Sequence, residues 1–232
     1  WFRNDLRLSD NPAFFTASRH KKILPIYIYD DKTAGEHSMG GASRWWLHHS
    51  LSALNKSLNG SLCFYAGKPT DIILDLVSRY NVKSIYWNRC YEPWNISDEK
   101  KLKHDLVKCG ITVESHNGSL LWEPWIIKKD DGSAYKVFTP FYRKGCLHAT
   151  PPRKPLPAPE NSNFLYDQEH SLDVFDLNLL PKFCWYDKLK SHWNVGEKAA
   201  RDCFKKFINQ GLKGYKEGRN LPADRFVSRI SP

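Results

Sequence analysis

Residues 1–14, WFRNDLRLSDNPAF, are the most informative stretch of the chain. Trp1 and Phe2 are apolar and have the character of a buried strand end, and six charged or amide side chains follow within nine positions. Open α/β folds bind ligands outside the carboxyl ends of their strands, so this stretch predicts a ligand-binding edge. Because the chain begins inside such a strand and without methionine, we expect further residues upstream of Trp1.

Four short apolar runs further along the chain predict buried strands. They cover residues 23–29, 61–65, 84–87 and 111–113. With the opening segment they make five, and helical patterns lie between them. Strands that alternate with helices of this length predict an α/β fold with a doubly wound, parallel five-stranded sheet. No G-x-G-x-x-G follows any of these strands, which argues against a dinucleotide site of the Rossmann type.

Three helices are predicted between these strands. The leucines from Leu47 to Leu58 recur at spacings of three and four, which places them on one helix face. Thr70 is a candidate N-cap of a second helix, and Ser97 of a third. The third helix is expected to end at Gly110, since glycine is common just after a helix.

Composition and charge narrow the class of protein. No two of the six cysteines are closer than nineteen residues, so no zinc-binding spacing exists and we expect no metal. Free thiols suit a reducing compartment, and no signal peptide or membrane-spanning run is present, so a cytoplasmic protein is expected. The net charge is +10, and residues 196–232 carry nine Lys and Arg against four Asp and Glu. Such a basic region suits a nucleic-acid partner or, equally, a solvated helix face.

The chain changes character near residue 123. Five prolines between residues 150 and 160 exclude a continuous helix and predict an extended linker. Helical periodicity returns near Asn194, where we expect the first helix of a second, helical domain that this chain does not complete. The predicted organisation is an α/β domain over 1–122, a linker over 123–192 and the start of a truncated helical domain over 193–232.

Several stretches together resemble the DNA photolyase/cryptochrome family. The opening residues match that family's W-F-R-x-D-L-R-x-x-D-N-x-A signature, residues 135–141 match its Y-x-V-F-T-P-F segment, and residues 43–46 match a loop after the second strand. The chain is most similar to a class I, prokaryote-type deoxyribodipyrimidine photolyase. The resemblance identifies the first domain as the antenna-binding domain and the helical region as the beginning of an FAD-binding domain.

The end of the chain resembles the start of the family's flavin-binding region. Ser231 before Pro232 is a helix-start signal that suits a phosphate group. The resemblance implies that Tyr215 contacts FAD and that Arg219 contacts DNA phosphate. The resemblance also implies that FAD is contacted by Val227, Ser228, Arg229, Ile230 and Ser231. Val227 stands where the family usually has threonine, so one hydroxyl contact is lost there.

Three residues are candidates for holding an antenna pigment. His37 lies in the loop after the second strand, where folate-antenna photolyases place a histidine. Trp94 and Asn95 occupy the polar pair after the fourth strand, where some folate binders have Asn-Glu. The resemblance thus implies methenyltetrahydrofolate, with a deazaflavin or no antenna as alternatives. Taken alone, His37 also fits a residue that caps or solvates a loop, and the antenna role is only slightly favoured.

The resemblance implies light-driven repair of cyclobutane pyrimidine dimers in DNA by a monomeric enzyme. An antenna pigment passes light energy to reduced FAD, and the excited flavin donates an electron to a flipped-out dimer. The family places its dimer-contacting residues beyond Pro232. We therefore expect no catalytic residue in this fragment, which alone neither holds FAD firmly nor repairs DNA. The alternatives are a cryptochrome-type blue-light receptor without repair activity and an unrelated nucleotide-binding α/β domain, such as a relative of electron-transfer flavoproteins.

Overall fold

The strands form two parallel pairs. In this computed structural model, which describes residues 1–160, 163–221 and 223, β1 (Ile26–Tyr29) pairs with β2 (Cys63–Ala66). The second pair joins β3 (Ser84–Asn88) to β4 (Thr112–His116). All four strands lie within or next to the apolar runs of the sequence. Their parallel pairing agrees with the predicted sheet.

The opening residues lie between the two pairs. Phe2 forms a parallel bridge with Tyr27, and its amide donates to the carbonyl oxygen of Ile26 at 2.9 Å. On the other side, the amino group of Trp1 donates to the carbonyl oxygen of Tyr86 at 2.9 Å. The spatial order is therefore β2, β1, opening segment, β3, β4. The five extended segments are confirmed, although two opening residues are too few to form a regular strand.

The helices lie between and after these strands. They are α1 (Pro12–Ala17), α2 (Gly41–Ser57), α3 (Pro69–Tyr80), α4 (Pro93–Lys108), α5 (Phe138–Pro140), α6 (Asp187–His192), α7 (Glu197–Lys206) and α8 (Tyr215–Gly218). Short 3-10 turns occupy Gly35–His37, Cys146–His148 and Leu212–Gly214, and π-helical turns occupy Phe141–Gly145 and Phe207–Gly211. Across the described ranges, no helix is both long enough and apolar enough to cross a membrane.

Two helices begin before the residues that were expected to cap them. Helix α3 begins at Pro69, so Thr70 lies inside its first turn, and α4 begins at Pro93, four residues before Ser97. The fixed φ of proline suits the first helical position, and this preference sets both starts. The end of α4 is as predicted, since Gly110 follows it with φ +75°, the left-handed conformation common after helices.

Helices cover both faces of the sheet, as a doubly wound fold requires. The buried leucines of α2 pack on one face with Phe2 and Tyr27. Helices α3 and α4 pack on the other face with Ile26 and Ile28. Because side chains alternate along a strand, Tyr27 and its two neighbours in β1 serve opposite cores.

Part of the predicted linker contributes to the first core. Val174, Leu177 and Leu179 are buried there beside α2. Phe164 also bridges to Ile23. Residues 163–179 therefore pack on the α/β layer, whereas residues 150–160 have no regular secondary structure.

Candidate functional site

A buried polar network supports the loop that follows the opening segment. Asp5, Asn11 and Asn88 are each less than 4% exposed. The Asn88 side-chain amide donates to the Asp5 carboxylate and to Asn11 Oδ1, the latter at 2.7 Å. Asn11 Oδ1 also accepts from the amide of Phe14 at 3.1 Å, which caps α1. These polar residues of the opening stretch are therefore structural and hold the end of β3 against the loop.

Arg3 forms the next layer of this edge. Its guanidinium donates to Glu99 at 2.7 Å and to the carbonyl oxygen of Asn88. The other carboxylate oxygen of Glu99 accepts from Trp87 Nε1 at 2.9 Å. The guanidinium also lies 4.6 Å from the centre of the Trp1 ring. Arg3 thus joins the opening segment to the end of β3, through Asn88, and to α4, through Glu99.

A cavity of about 240 Å³ opens above this layer, at the carboxyl ends of the opening segment, β1 and β3. His37, Trp94 and Asn95 all line it. The rings of His37 and Trp94 lie nearly parallel, at 14°, with 5.1 Å between their centres. Asn95 donates to Glu92 at 3.0 Å. The structure therefore brings the three predicted antenna residues to one cavity, at the edge that the sequence predicted.

Two titratable side chains in the cavity lining, Cys90 and Tyr29, keep their protons at neutral pH. Burial raises the pKa of the Cys90 thiol to about 11. Burial and a hydrogen bond to Asp31 together raise the pKa of Tyr29 to about 12. Because both groups keep their protons, the charge of the cavity comes from carboxylates, Arg3 and Lys68.

A larger cavity of about 390 Å³ lies at the opposite, amino-terminal edge of the strands. None of the predicted site residues in the described part of the chain lines this cavity; these residues are His37, Trp94, Asn95, Tyr215 and Arg219. Since open α/β sheets bind ligands at their carboxyl edge, the smaller cavity is the better candidate site. In the described part of the chain, no three His, Cys, Asp or Glu side chains are grouped to hold a metal ion.

The predicted FAD and DNA residues lie at the far end of the chain. Tyr215 begins α8, and its ring contacts Phe207 edge-on at 5.4 Å. The Arg219 guanidinium lies 6.0 Å from the centre of the Tyr215 ring and is exposed. The structure thus brings Tyr215 and Arg219 together. The remaining predicted contacts, Val227, Ser228, Arg229, Ile230 and Ser231, lie outside the described residues.

A second buried carboxylate was not singled out by the sequence. Asp167 is 1% exposed and accepts from Tyr65 and Arg79, both at 2.8 Å. Burial alone would raise its pKa, but the hydrogen bonds from Tyr65, Arg79 and His170 outweigh it and hold the pKa well below the ordinary value. This network fastens residues 163–179 to β2 and α3. No local motif predicts it, because Tyr65 and Arg79 are 102 and 88 residues away from Asp167.

Glu92 and Asp98 are further cavity residues that sequence reasoning missed. The sequence held a signal for both, since Glu92 precedes the first residue of α4 and lies two residues before Trp94, and Asp98 lies one helical turn after Trp94. The structure adds them to the candidate site.

Comparison with known proteins agrees with this architecture. The family model for DNA photolyase matches residues 1–160. A deoxyribodipyrimidine photo-lyase from Agrobacterium fabrum is 39% identical, over 100% of this chain and 49% of that protein. Cryptochrome-2 and cryptochrome-1 of Arabidopsis thaliana are 34% and 29% identical over 100% of this chain, and cover 39% and 35% of those proteins. The chain spans about half the length of the photo-lyase and less of the cryptochromes.

Solved structures show the same fold. A bacterial class III photolyase from Agrobacterium tumefaciens is 37% identical, with a TM-score of 0.91 over 100% of this chain and 48% of that one. A Synechocystis cryptochrome is 24% identical, with a TM-score of 0.82 over 99% of this chain and 50% of that one. An archaeal photolyase from Sulfolobus tokodaii, solved with two FAD molecules, is 21% identical. Its TM-score is 0.71, over 98% of this chain and 49% of that one. The last two show the fold alone.

The class III relative means that the expected class I subgroup is not confirmed. The match of the DNA photolyase model to more than half of the chain shows that this protein belongs to the DNA photolyase/cryptochrome family.

Proposed function

We propose that this chain is the light-harvesting part of a photolyase that repairs cyclobutane pyrimidine dimers in DNA. The observation that carries the proposal is 39% identity, over the whole chain, to a protein named deoxyribodipyrimidine photo-lyase. The two Arabidopsis cryptochromes are less similar, at 29% and 34%. In this proposal residues 1–122 form the antenna domain, and residues 193–232 begin the helical FAD domain.

The cavity at the carboxyl edge of the sheet is the proposed antenna site. Its aromatic face, formed by His37 and Trp94, suits a planar pigment ring, and the side chain of Asn95 offers polar contacts beside it. Methenyltetrahydrofolate is the proposed pigment, and the alternatives are a deazaflavin or no antenna pigment. These residues would hold and orient the pigment and limit its access to water.

Bound FAD would supply the electron that splits the dimer. Tyr215 and residues 227–231 are the proposed contributions of this chain to holding it. Arg219 is proposed to contact DNA phosphate, and its exposure and its position one helical turn from Tyr215 support this role. Arg219 would therefore steer the DNA backbone and leave the chemistry unchanged.

A repair assay tests this proposal. The product of the complete gene, carrying reduced FAD, is mixed with an oligonucleotide that holds one cyclobutane thymine dimer, and is then illuminated with blue light or kept dark. Repair is expected in the light and not in the dark. If the protein holds FAD but leaves the dimer intact in the light, the repair function is wrong.

Arg219→Ala tests the DNA contact in the same protein. Loss of one phosphate contact should weaken binding to all sequences alike and lower the salt slope of log K by about one. Lys103→Ala, which removes an exposed charge on α4, is the matched control and should leave the slope unchanged. Equal slopes for both variants would remove Arg219 from the DNA interface.

A cryptochrome-type blue-light receptor is the second candidate. The 34% identity to Arabidopsis cryptochrome-2 over the whole chain favours it. If light changes the conformation of the complete protein but no dimer is repaired, the blue-light receptor is favoured over the photolyase.

A further inference from the structure

The segment that matches the Y-x-V-F-T-P-F pattern lines neither the proposed antenna cavity nor the larger cavity at the opposite edge. It belongs to a small lobe, residues 122–150, whose two ends meet where Trp122 Nε1 donates to the carbonyl oxygen of Thr150 at 2.8 Å. Ile127 is buried inside the lobe. A Cβ at Gly145 would lie 2.5 Å from Ile127 Cγ2, so the interior is closely packed. The lobe therefore carries its surface side chains on a packed frame.

Two aromatic rings of this lobe face solvent. Phe138 and Tyr142 lie four residues apart on successive helical turns, and they are 73% and 46% exposed. Their rings are nearly parallel, at 6°, with 5.9 Å between the ring centres. Phe141, by contrast, is half-buried and contacts Tyr135 edge-on at 6.3 Å. Large apolar side chains that are exposed side by side are typical of a contact surface.

The chain around these rings is rich in cations and free of carboxylates. Residues 132–159 hold five Lys or Arg and no Asp or Glu. Lys136, Arg143 and Lys144 are exposed, and their side chains form no ion pair or hydrogen bond with any other residue that the structure describes. The segment that carries the rings therefore also carries three unpaired positive charges.

The carboxylates of the lobe precede this stretch and are already matched by cations. Glu123 is paired with Arg89 at 2.7 Å. The other two, at positions 130 and 131, directly follow Lys128 and Lys129 in sequence. The three cations near the rings are therefore the net charge that a partner would meet.

A nucleic-acid strand suits this combination better than a protein partner does. Protein interfaces are depleted of lysine relative to the rest of the surface. Proteins that bind single strands, in contrast, combine exposed aromatic rings with cations that follow the phosphate backbone. Because the bases of a duplex are already stacked on one another, the rings can stack only on unpaired bases.

We propose that this lobe binds unpaired DNA. Phe138 and Tyr142 stack on the bases, while Lys136, Arg143 and Lys144 neutralise phosphates. The inference rests on the proposed action on DNA and adds a second contact surface to it. It also gives the Y-x-V-F-T-P-F segment a role of its own.

Binding of a labelled strand of about twelve thymidine nucleotides to the 232-residue chain, followed by fluorescence anisotropy, tests the stacking. Combining Phe138→Ala with Tyr142→Ala should weaken binding about tenfold and leave its salt dependence unchanged, since the rings carry no charge. Tyr142→Phe keeps the ring and should bind as the parent does. The same strand in a blunt duplex should bind the ring variant and the parent equally. Melting temperatures show that each variant is folded.

A second pair of variants tests the phosphate contacts. Arg143→Ala combined with Lys144→Ala should lower the salt slope of log K by about 1.4, since each phosphate contact to a single strand adds about 0.7. Lys101→Ala combined with Lys103→Ala removes two exposed charges of α4 and should leave the slope unchanged. If the parent chain does not bind the strand, if the ring variant binds as tightly as the parent, or if both charge variants share one slope, the inference is wrong.

The ring variant is also compared with the parent in the complete gene product. If binding depends on the rings in the 232-residue chain but not in the complete protein, the rest of the protein covers the lobe and the inference is overturned. If ring-dependent binding is present in both but light repairs no dimer, the DNA contact stands and the repair function alone is wrong.

Discussion

Asn88 is the residue through which the opening loop is joined to the sheet. It donates to Asp5 and Asn11, and its Oδ1 accepts from the amide of Ala13 at 3.2 Å. Each of these partners is buried, so water cannot replace the lost bonds. The network is therefore as important for folding as for the shape of the cavity above it.

Asn88→Ala should destabilise the protein strongly. It removes one donor from the buried Asp5 carboxylate, which keeps those of Arg3 and Asn11, and it removes the acceptor of the buried Ala13 amide. We expect a loss of about 3 kcal/mol in the free energy of unfolding. Urea unfolding followed by circular dichroism measures this loss. Asn209→Ala, at an exposed position, is the control and should change the free energy by less than about 0.5 kcal/mol. Equal losses in both variants would contradict the structural role of Asn88.

His48 should make the stability depend on pH. Its side chain is 3% exposed, and its ring contacts those of His49 and Phe175. Burial, and then the neighbouring His49, lower the pKa of His48, while Asp173 opposes them. The unfolded chain takes up a proton near pH 6.5, which the folded protein excludes. The stabilisation is thus present above about pH 6.5 and is lost as the pH falls below it.

The variant His48→Leu tests this pH dependence. The urea midpoint of the parent should fall between about pH 7.5 and 5.5, and the fall should be smaller in His48→Leu. His104→Leu, which removes an exposed histidine of α4, should follow the parent. A His48→Leu curve parallel to that of the parent would show that His48 does not titrate as described.

At this scale the sequence predicted some site residues and missed others. His37, Trp94 and Asn95 were found through family motifs, and the structure places all three at one cavity. Asp98 and Asp167 were missed for different reasons. Asp98 has a helical spacing to Trp94 that could have been noticed, whereas Tyr65 and Arg79, which tie Asp167 to β2 and α3, are 102 and 88 residues away from it.

At the scale of elements, the loop after β4 depends on a glycine. A Cβ at Gly118 would lie 2.4 Å from Asn88 Cγ, and the Gly118 carbonyl oxygen accepts from Arg7. Gly118→Ala must therefore displace the loop or the buried amide, and we expect a loss of about 2 kcal/mol. Gly214→Ala is the control, since a Cβ there meets no atom within 4 Å. The melting temperatures of both variants, compared with that of the parent, measure the loss. An unchanged melting temperature of Gly118→Ala would contradict this packing.

Glu197 and Arg201 join helix α7 to the opening loop. Glu197, in its first turn, accepts from the amides of Leu8 at 2.8 Å and Ser9 at 3.3 Å. Burial would raise the pKa of Glu197, but the bonds from Ser9, Leu8 and Arg201 lower it overall. Its stabilising contribution is therefore present above about pH 4.3 and is lost as the pH falls through the folded pKa.

Glu197→Gln should loosen this attachment. We expect a loss of about 1 kcal/mol and faster hydrogen exchange at the amides of Leu8 and Ser9. Glu217→Gln, an exposed change on α8, should leave both amides protected. Unchanged exchange in Glu197→Gln would show that α7 is held by other contacts.

Elements were predicted well where the signal is local. The four strands follow from apolar runs and the leucine face of α2 from periodicity, and helices α3 and α4 were found with displaced starts. The packing of residues 163–179 against the sheet was not predicted. It depends on pairings such as Phe64 with Leu172, which no short-range pattern contains.

At the scale of the whole molecule, one arrangement links these features. The opening segment lies between β1 and β3, so the ends of three extended segments meet at one edge. The candidate cavity lies at that edge, and the buried network beneath it fixes the position of the walls. We therefore propose that the pigment binds at the edge that the first fourteen residues build.

The action spectrum of dimer repair tests this assignment most directly. It is measured on the complete gene product, loaded with FAD and its antenna pigment, and compared with Trp94→Ala and with Trp125→Ala, an exposed tryptophan outside the cavity lining. We predict that Trp94→Ala loses the antenna band and keeps the flavin band, while Trp125→Ala keeps both. A Trp94→Ala spectrum that superposes on that of the parent would contradict the account.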